Sequence, residues 1–495
     1  MGCLLAAPAS RPPQATSRGW RYTWSAMDLR VHLPELAPAA AAAHARLAAM
    51  SASRRNGLAH LAQERASALG LLRGPQPIPL VLSPVALPRE ELSALARAAR
   101  LVVSALVKVS RELIEGSPER ARLLFHHLSP LEQEALRTRW REAEELLIGR
   151  VDWFVDRAGR PRALEVNATI PAMPAYSDAA ALGWLQAWPI GSASEKRSAA
   201  EYRDGWAEAL FARSHSNAGW LADGLAQAAR RARRELPLRV QLLHREGDPQ
   251  RSELVALSRL LLQRGCAEAR PCTPADVALD GAPDRVLYRH LFARYVEPGT
   301  PLARAFLDPV RHGMWNRVDG WLETKGLLAE LSLRAGSPAL SSEERDAVRS
   351  LVPWTRLLDD VSDADLGTGE GYILKRSHDY GGKSVVIGRE TGAAGFREVL
   401  AFARRDPPGS WVAQELVDSP PLDRFFALHA PGEPVRAGRG PLHLDISTYA
   451  SLIEGVPAGG SVCRGAPGRV VNIAGGGGVA PLYPEDVLQE ALDAA

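Results

Sequence analysis

The sequence predicts an α/β fold, and three observations along its 495 residues carry that expectation. Through most of residues 28–148, apolar side chains recur every three or four positions, the period of a helix with one buried face. Between about residues 238 and 291, a strand, a loop, a helix and a second strand follow one another with short connections, as in a parallel α/β unit. From about residue 346 onward, short strands alternate with glycine-rich turns. The expected division is a disordered tail over 1–26 and a helical region over 27–235 that carries one β-hairpin. An α/β unit over 236–345 and a strand-rich segment over 346–495 follow.

Composition narrows the function classes. With 46% hydrophobic and 24% charged residues, this is the make-up of an ordinary globular protein. The net charge of +3 is small and the Lys and Arg residues are dispersed, so no nucleic-acid footprint is expected. No apolar run approaches the length of about 18 residues that a membrane span needs, so no membrane partner is expected either. Cys3, Cys266, Cys272 and Cys463 make no disulfide framework, and Cys266 and Cys272 lack metal-type CxxC spacing. Reduced thiols in a cytoplasmic protein are the expectation. The opening MGCLLAAPASRPPQATSRGW has no basic start and too short an apolar run for a signal peptide, and Met27 begins a cleaner amphipathic stretch.

Each element has its own signal. LPREELSALARAARLVVSALVKVSRELIEG and SPLEQEALRTRWREAEELLIG read as helices, the second opening at Ser129-Pro130. In GRVDWFVDRAGRPRALEVN, residues 149–167, Val151, Trp153 and Val155 alternate with other residues, as do Leu164 and Val166. Asp156 to Pro161 supply the turn, with Gly159 available for a positive φ. EYRDGWAEALFARS and WLADGLAQAARRARRE return to the helical pattern. LRVQLLHRE and DRVLYRHL are strands on either side of the helix SELVALSRLLLQRG. GYILKR, YGGKSVVIG, WVAQELV, LHLDISTYA and GRVVNIAGGGGVAPLY read as the strands of the last third.

The hairpin raises a chemical question. A loop of residues 157–160 sets Val151 opposite Val166, Trp153 opposite Leu164, Asp152 opposite Glu165 and Arg150 opposite Asn167, with Phe154 the exception among the apolar residues. Like charges directly across two strands destabilise the pair. A raised pKa, a nearby cation or a metal ion would relieve them. Two carboxylates and an amide carbonyl are hard oxygen donors of the kind that suits Mg²⁺ bridging to phosphates. The same residues would also serve a solvated hairpin with Arg150 as a neutralising neighbour.

Further along, Lys375 ends a strand and Gly381-Gly382 form a small loop before the next strand. A lysine beside a glycine loop can set a point charge and backbone N–H groups on a polyphosphate, and it can equally belong to an ordinary hairpin. Gln414 and Glu415 in WVAQELV could meet an adenine edge or a ribose, or lie at a sheet edge. Lys325 opens a helix, where a cation opposes the helix dipole and an anion is the natural partner, unless the lysine is simply exposed.

In this order, Asn316…Lys325 before Val352-Pro353, then LKRSHDYGGKSVVIG, WVAQELV and LDISTYA…VCRGAPGRVVNIAGGGGVAPLY resemble the ATP-grasp superfamily. The likeness is to its circularly permuted branch, that of glutathionylspermidine synthase and related carboxylate–amine ligases. The E-x-N pattern that usually lies near the end of such chains stands here at Glu165–Asn167, and R-x-D at Arg150–Asp152. The resemblance covers most of residues 145–490 and implies a circularly permuted ATP-grasp fold with a pre-ATP-grasp α/β unit at 236–345 and a helical N-terminal region. It implies Asp152, Glu165 and Asn167 as Mg²⁺ ligands, and Lys325 and Lys375 on the phosphates of ATP. The loop of Gly381 and Gly382 becomes a lid, Gln414 and Glu415 contact the adenine and ribose, and Arg464 meets the transferring phosphate. Arg150 lies beside the reacting carboxylate. Asp445 and Asn472 complete the site or shape the sheet. Arg376, His378 and Asp379 depart from the family pattern, and no amidase-like domain precedes the ligase part.

The implied reaction joins a small-molecule carboxylate to an amine, or to a peptide, through an acyl phosphate. The alternative from another class is a pseudo-ligase that binds nucleotide or a partner and catalyses nothing.

Overall fold

The computed structural model describes residues 29–32, 37–188, 197–317, 320–379, 381–429 and 432–494. The expected tail and Met27 lie outside them. The fold is mixed α/β, with three sheets that position the site. A central antiparallel sheet runs in the order Gly478–Ala480, Ser461–Ala466, Arg436–Ala450, Gly149–Val155, Pro161–Asn167, with Leu422–Leu428 paired to the first half of the long strand. The hairpin from the first third of the chain is thus built into a sheet whose other strands come from the last seventy residues or so.

The second sheet is wholly parallel, ordered Glu268–Cys272, Arg239–His244, Arg285–His290, Met314–Trp315, and helix Arg251–Gln263 makes the first crossover. The sequence pattern misses Glu268–Cys272, because EARPC carries charges and Pro271 where a strand signal would stand. A proline fits there because the strand lies at the sheet edge.

The third sheet is antiparallel: Thr355–Leu357, Trp411–Glu415, Tyr372–Arg376, Val385–Ile387. With helix Gly388–Ala403 it closes a small core of its own around Leu374, Phe396, Leu400 and Trp411. Two larger cores knit the rest together. One holds Val102 and Val103, Trp153, Leu243, Phe306, Leu351 and Ile446, so the N-terminal helices, the hairpin and the parallel unit share buried surface.

Helix Arg89–Gly116 covers the central sheet; its 28 residues bury one continuous stripe from Leu95 to Leu113. Ser129 caps helix Pro130–Arg139 in a reciprocal box with Glu132, and the chain then tightens into a 3₁₀ turn over Trp140–Glu145. Tryptophan supplies much of the core bulk: Trp153, Trp184 and Trp321 are fully buried, and Trp184 stacks on Trp188. No helix among the described residues is long and apolar enough to cross a membrane.

The hairpin register differs from expectation beyond Asp152. Arg150–Asn167, Val151–Val166 and Asp152–Glu165 pair as read, but a bulge follows, and Trp153 pairs with Ala163. Leu164 is the extra residue, and the turn spans 156–160, closed by Gly159 N–H donating to the Asp156 carbonyl at 2.9 Å. Phe154 shares the face of Arg150 and Asp152 and is buried where that face lines the cleft, which resolves its apparent mismatch. The segment RVVNIAGGGG is not a strand: only Gly478–Ala480 and Leu482–Pro484 pair, and the preceding residues form a loop.

Candidate active site

The three sheets meet around a cleft of about 390 Å³, within the size range of small-molecule sites. The hairpin supplies Arg150, Asp152, Glu165 and Asn167 to its wall; the helix start gives Lys325, the third sheet gives Lys375, and the C-terminal strands give Asp445 and Arg464. Gly381, Gly382 and Asn472 line it from two facing loops.

Asp152 has a cationic remedy for its neighbour. Arg150 grips it with Nε to Oδ1 at 2.7 Å and Nη2 to Oδ2 at 2.9 Å, and Arg464 Nη2 reaches Oδ2 at 2.9 Å. Burial would raise the Asp152 carboxyl, but the two guanidiniums more than offset it and hold the group well below the usual carboxylate range. Arg464 also holds Asp445, with Nε to Oδ1 at 3.0 Å and a further Nη2–Oδ2 contact. Arg150 Nη1 donates to the Ala172 carbonyl at 3.0 Å, which also accepts from the Tyr449 hydroxyl at 3.0 Å.

Glu165 is held differently. Its side chain is 32% exposed against 3% for Asp152, and its cationic neighbour is Lys325 at 3.5 Å. Lys325 Nζ donates to the Asp379 carbonyl at 2.6 Å, tying the helix start to the root of the glycine loop. Lys375 is buried; its Nζ donates to Gln414 Oε1 at 2.7 Å and to the Leu164 carbonyl at 3.3 Å, the oxygen that the bulge turns toward it. Burial lowers its pKa to about 8, even with the Glu165 charge nearby.

Gln414 and Glu415 do not line the cleft. Gln414 is spent beneath it, holding Lys375 and donating to Thr355 Oγ1 at 3.1 Å. Glu415 faces outward, accepting from Arg162 Nη2 at 3.4 Å. The next two residues, Leu416 and Val417, reach the cleft instead, because the strand has ended and the chain turns inward.

Gly381 and Gly382 adopt φ of 69° and 72°, open to glycine at no steric cost. Their loop touches the facing one: Asn472 Nδ2 donates to the Gly381 carbonyl, and a Cβ on Gly382 would stand 2.4 Å from Val470 Cγ1. Sequence reasoning missed that second loop, Arg469 to Ala474, because it read as a strand. It also missed Glu323, a half-buried acid whose carboxylate accepts from the Ala168 and Thr169 N–H groups at 3.3 and 3.0 Å, fixing the end of the hairpin next to Lys325. The far end of the cleft is cationic and aromatic, with Arg245, His290, Phe292, Arg294 and Tyr295 at the carboxyl edge of the parallel sheet. Arg294 lies over Phe292 at 4.2 Å.

Among the described residues, no three His, Cys, Asp or Glu side chains are grouped to hold a metal ion. Of the three expected ligands, the Glu165 carboxylate and the Asn167 amide oxygen are the less engaged, since Asn167 gives its Nδ2 to Asp152 Oδ2 at 3.2 Å; Glu132, Asp248, Glu323 and Asp379 also line the cleft. One carboxylate and one carbonyl, completed by substrate phosphates and water, is an ordinary setting for Mg²⁺.

No protein-family model and no curated protein matches the chain. Among solved structures it is similar to a glutathione synthetase-like effector (GSS30) from Globodera pallida in its apo form. The likeness has 12% identity and a TM-score of 0.52, and it covers 88% of this chain and 98% of that one. At this identity the similarity is one of fold alone, a mixed α/β architecture.

Proposed function

We propose that the chain is an ATP-dependent carboxylate–amine ligase built on a circularly permuted ATP-grasp core. The observation that carries this reading is the convergence of Glu165 and Asn167 from an early hairpin with Lys325, Lys375 and Arg464 from later segments around one cleft. Free Cys266, Cys272 and Cys463 support a reducing, cytoplasmic setting.

In this reading Ile373, Ile387, Leu416 and Val417 form an apolar slot for the base, and Lys375 and Lys325 meet the phosphates. Glu165 and the Asn167 oxygen hold Mg²⁺, which neutralises phosphate charge when bound. The substrate carboxylate attacks the γ-phosphorus of ATP, releasing ADP and leaving an acyl phosphate. The amine then attacks the acyl carbon, phosphate departs and the amine loses a proton. Arg150 and Arg464 supply fixed positive charge at that point, and the loops of Gly381–Gly382 and Arg469–Ala474 exclude water. The cationic far end favours a substrate with an anionic group; a peptide acceptor would fit the same chemistry.

The second reading is a protein of the same fold that binds nucleotide or a partner without catalysis. Calorimetry of ATP binding with and without Mg²⁺ tests the first part. Binding that needs the metal, and that Glu165→Gln weakens while the fold persists, supports the nucleotide site; no binding by folded protein removes it. Release of ADP that depends on an added acid and amine separates the ligase from the binding protein.

A further inference from the structure

Asp152 and Glu165 stand directly opposite each other, yet their surroundings assign them different work. Both Asp152 oxygens are engaged: Oδ1 by Arg150 Nε, and Oδ2 by Arg150 Nη2, Arg464 Nη2 and Asn167 Nδ2. To bind a cation, the aspartate would have to loosen a buried two-point guanidinium contact, leaving Arg150 without its counter-charge in a dry setting, while Arg464 would keep Asp445. Both line the cleft, but Glu165 is the more exposed of the pair, and among the described residues its one ion pair is the 3.5 Å approach of Lys325. Arg464 is held on its other side by Asp445, and Arg150 by the Ala172 carbonyl, so the two guanidiniums are fixed from several directions with Asp152 between them.

We infer that Asp152 is a positioning residue: it sets Arg150 and Arg464 in the cleft wall and leaves the cation to Glu165 and the amide oxygen of Asn167. The inference rests on the ligase reading, and it departs from the expectation that both carboxylates ligate the metal. The cleft then has two halves with separate charge balance. In the deeper half, two arginines face two aspartates. In the outer half, Glu165 stands among Lys325, Lys375 and whatever phosphates arrive.

The test uses Mn²⁺ as the probe with a non-hydrolysable ATP analogue on the full chain. Electron–nuclear double resonance is recorded on protein carrying ¹³C carboxylates in all glutamates, or in all aspartates. Coupling to labelled glutamate and none to labelled aspartate is the expected result. Coupling to aspartate, or to neither, overturns the inference while the ligase reading stands. Failure of Mn²⁺ to bind with the analogue sinks the ligase reading, and the inference with it. In Asp152→Asn, affinity for Mn²⁺ with the analogue should fall by about tenfold, the low end of an outer-shell effect. Affinity for ADP with aluminium fluoride, a mimic of the transferring phosphoryl group, should fall by about a hundredfold as the arginines lose their alignment. Equal losses for the two probes overturn the positioning role. Should that variant not fold, the wild-type spectra decide alone.

Discussion

Lys375 gives the cleft a pH dependence whose sign differs for stability and for binding. Its pKa in the fold is about 8, lowered by burial. An unfolded lysine titrates near 10.4, so from about pH 8 to about pH 10.4 the unfolded chain binds more protons and this residue's contribution to stability rises with pH. Phosphate has the opposite preference, because it favours the ammonium form. Nucleotide binding at about pH 8.5 should therefore take up a fraction of a proton, read by calorimetry in buffers of different ionisation heat; no uptake would mean that Lys375 does not face the phosphates. Gln414→Leu removes the acceptor at 2.7 Å and should weaken nucleotide binding by about tenfold through Lys375, whereas Glu415→Gln, at an outward-facing position, should leave it unchanged. Residue alternation made the pairing of Asp152 with Glu165 legible in the sequence. The bulge after it was not, since no residue type marks an insertion at Leu164. Nor does a two-residue period say whether Gln414 or Glu415 points at a ligand.

The third sheet closes a small core with helix Gly388–Ala403, while its Leu357 and Val412 enter one of the two large cores; its glycine loop meets the facing side of the cleft through Asn472 with the Gly381 carbonyl and Gly382 against Val470. Gly382→Ala places a Cβ 2.4 Å from Val470 Cγ1 in a backbone with φ of 72°. The release rate of nucleotide should rise by about tenfold, measured by stopped flow, as closure is lost; an unchanged rate would show that the loops do not gate the cleft. Phe396→Ala, in contrast, strikes the core of this unit and should cost it about 3–5 kcal/mol, seen in denaturant titration. The helices were legible from their period and caps, Ser129 with Glu132 most plainly. Glu268–Cys272 was hidden by its charges and proline, and Arg469–Ala474 was misread because Val470, Val471 and Ile473 carry strand-forming side chains without strand partners.

For the whole molecule, the mixed α/β class was legible, while the shared core was not, since local pattern cannot say which distant segments bury one another. Hydrogen exchange should resolve that architecture. Amides of Thr355–Leu357, Tyr372–Arg376 and Trp411–Glu415 should exchange through a partial opening, at lower free energy than those of Gly149–Val155. Equal protection would mean that the lid unit and the central sheet unfold together. The strand Gly149–Val155 also has a history imposed by the order of synthesis. Its outer neighbour is Arg436–Ala450, and the Trp153 indole finds its acceptor at Thr448, 295 positions later. At translation rates of roughly 5–20 residues per second, the hairpin emerges from the ribosome tens of seconds before that neighbour exists. For that interval its edge is unpaired, so a chain stalled before about residue 436 should expose it to chaperones or to other strands, and the cleft becomes complete only once residues 464–474 have been made.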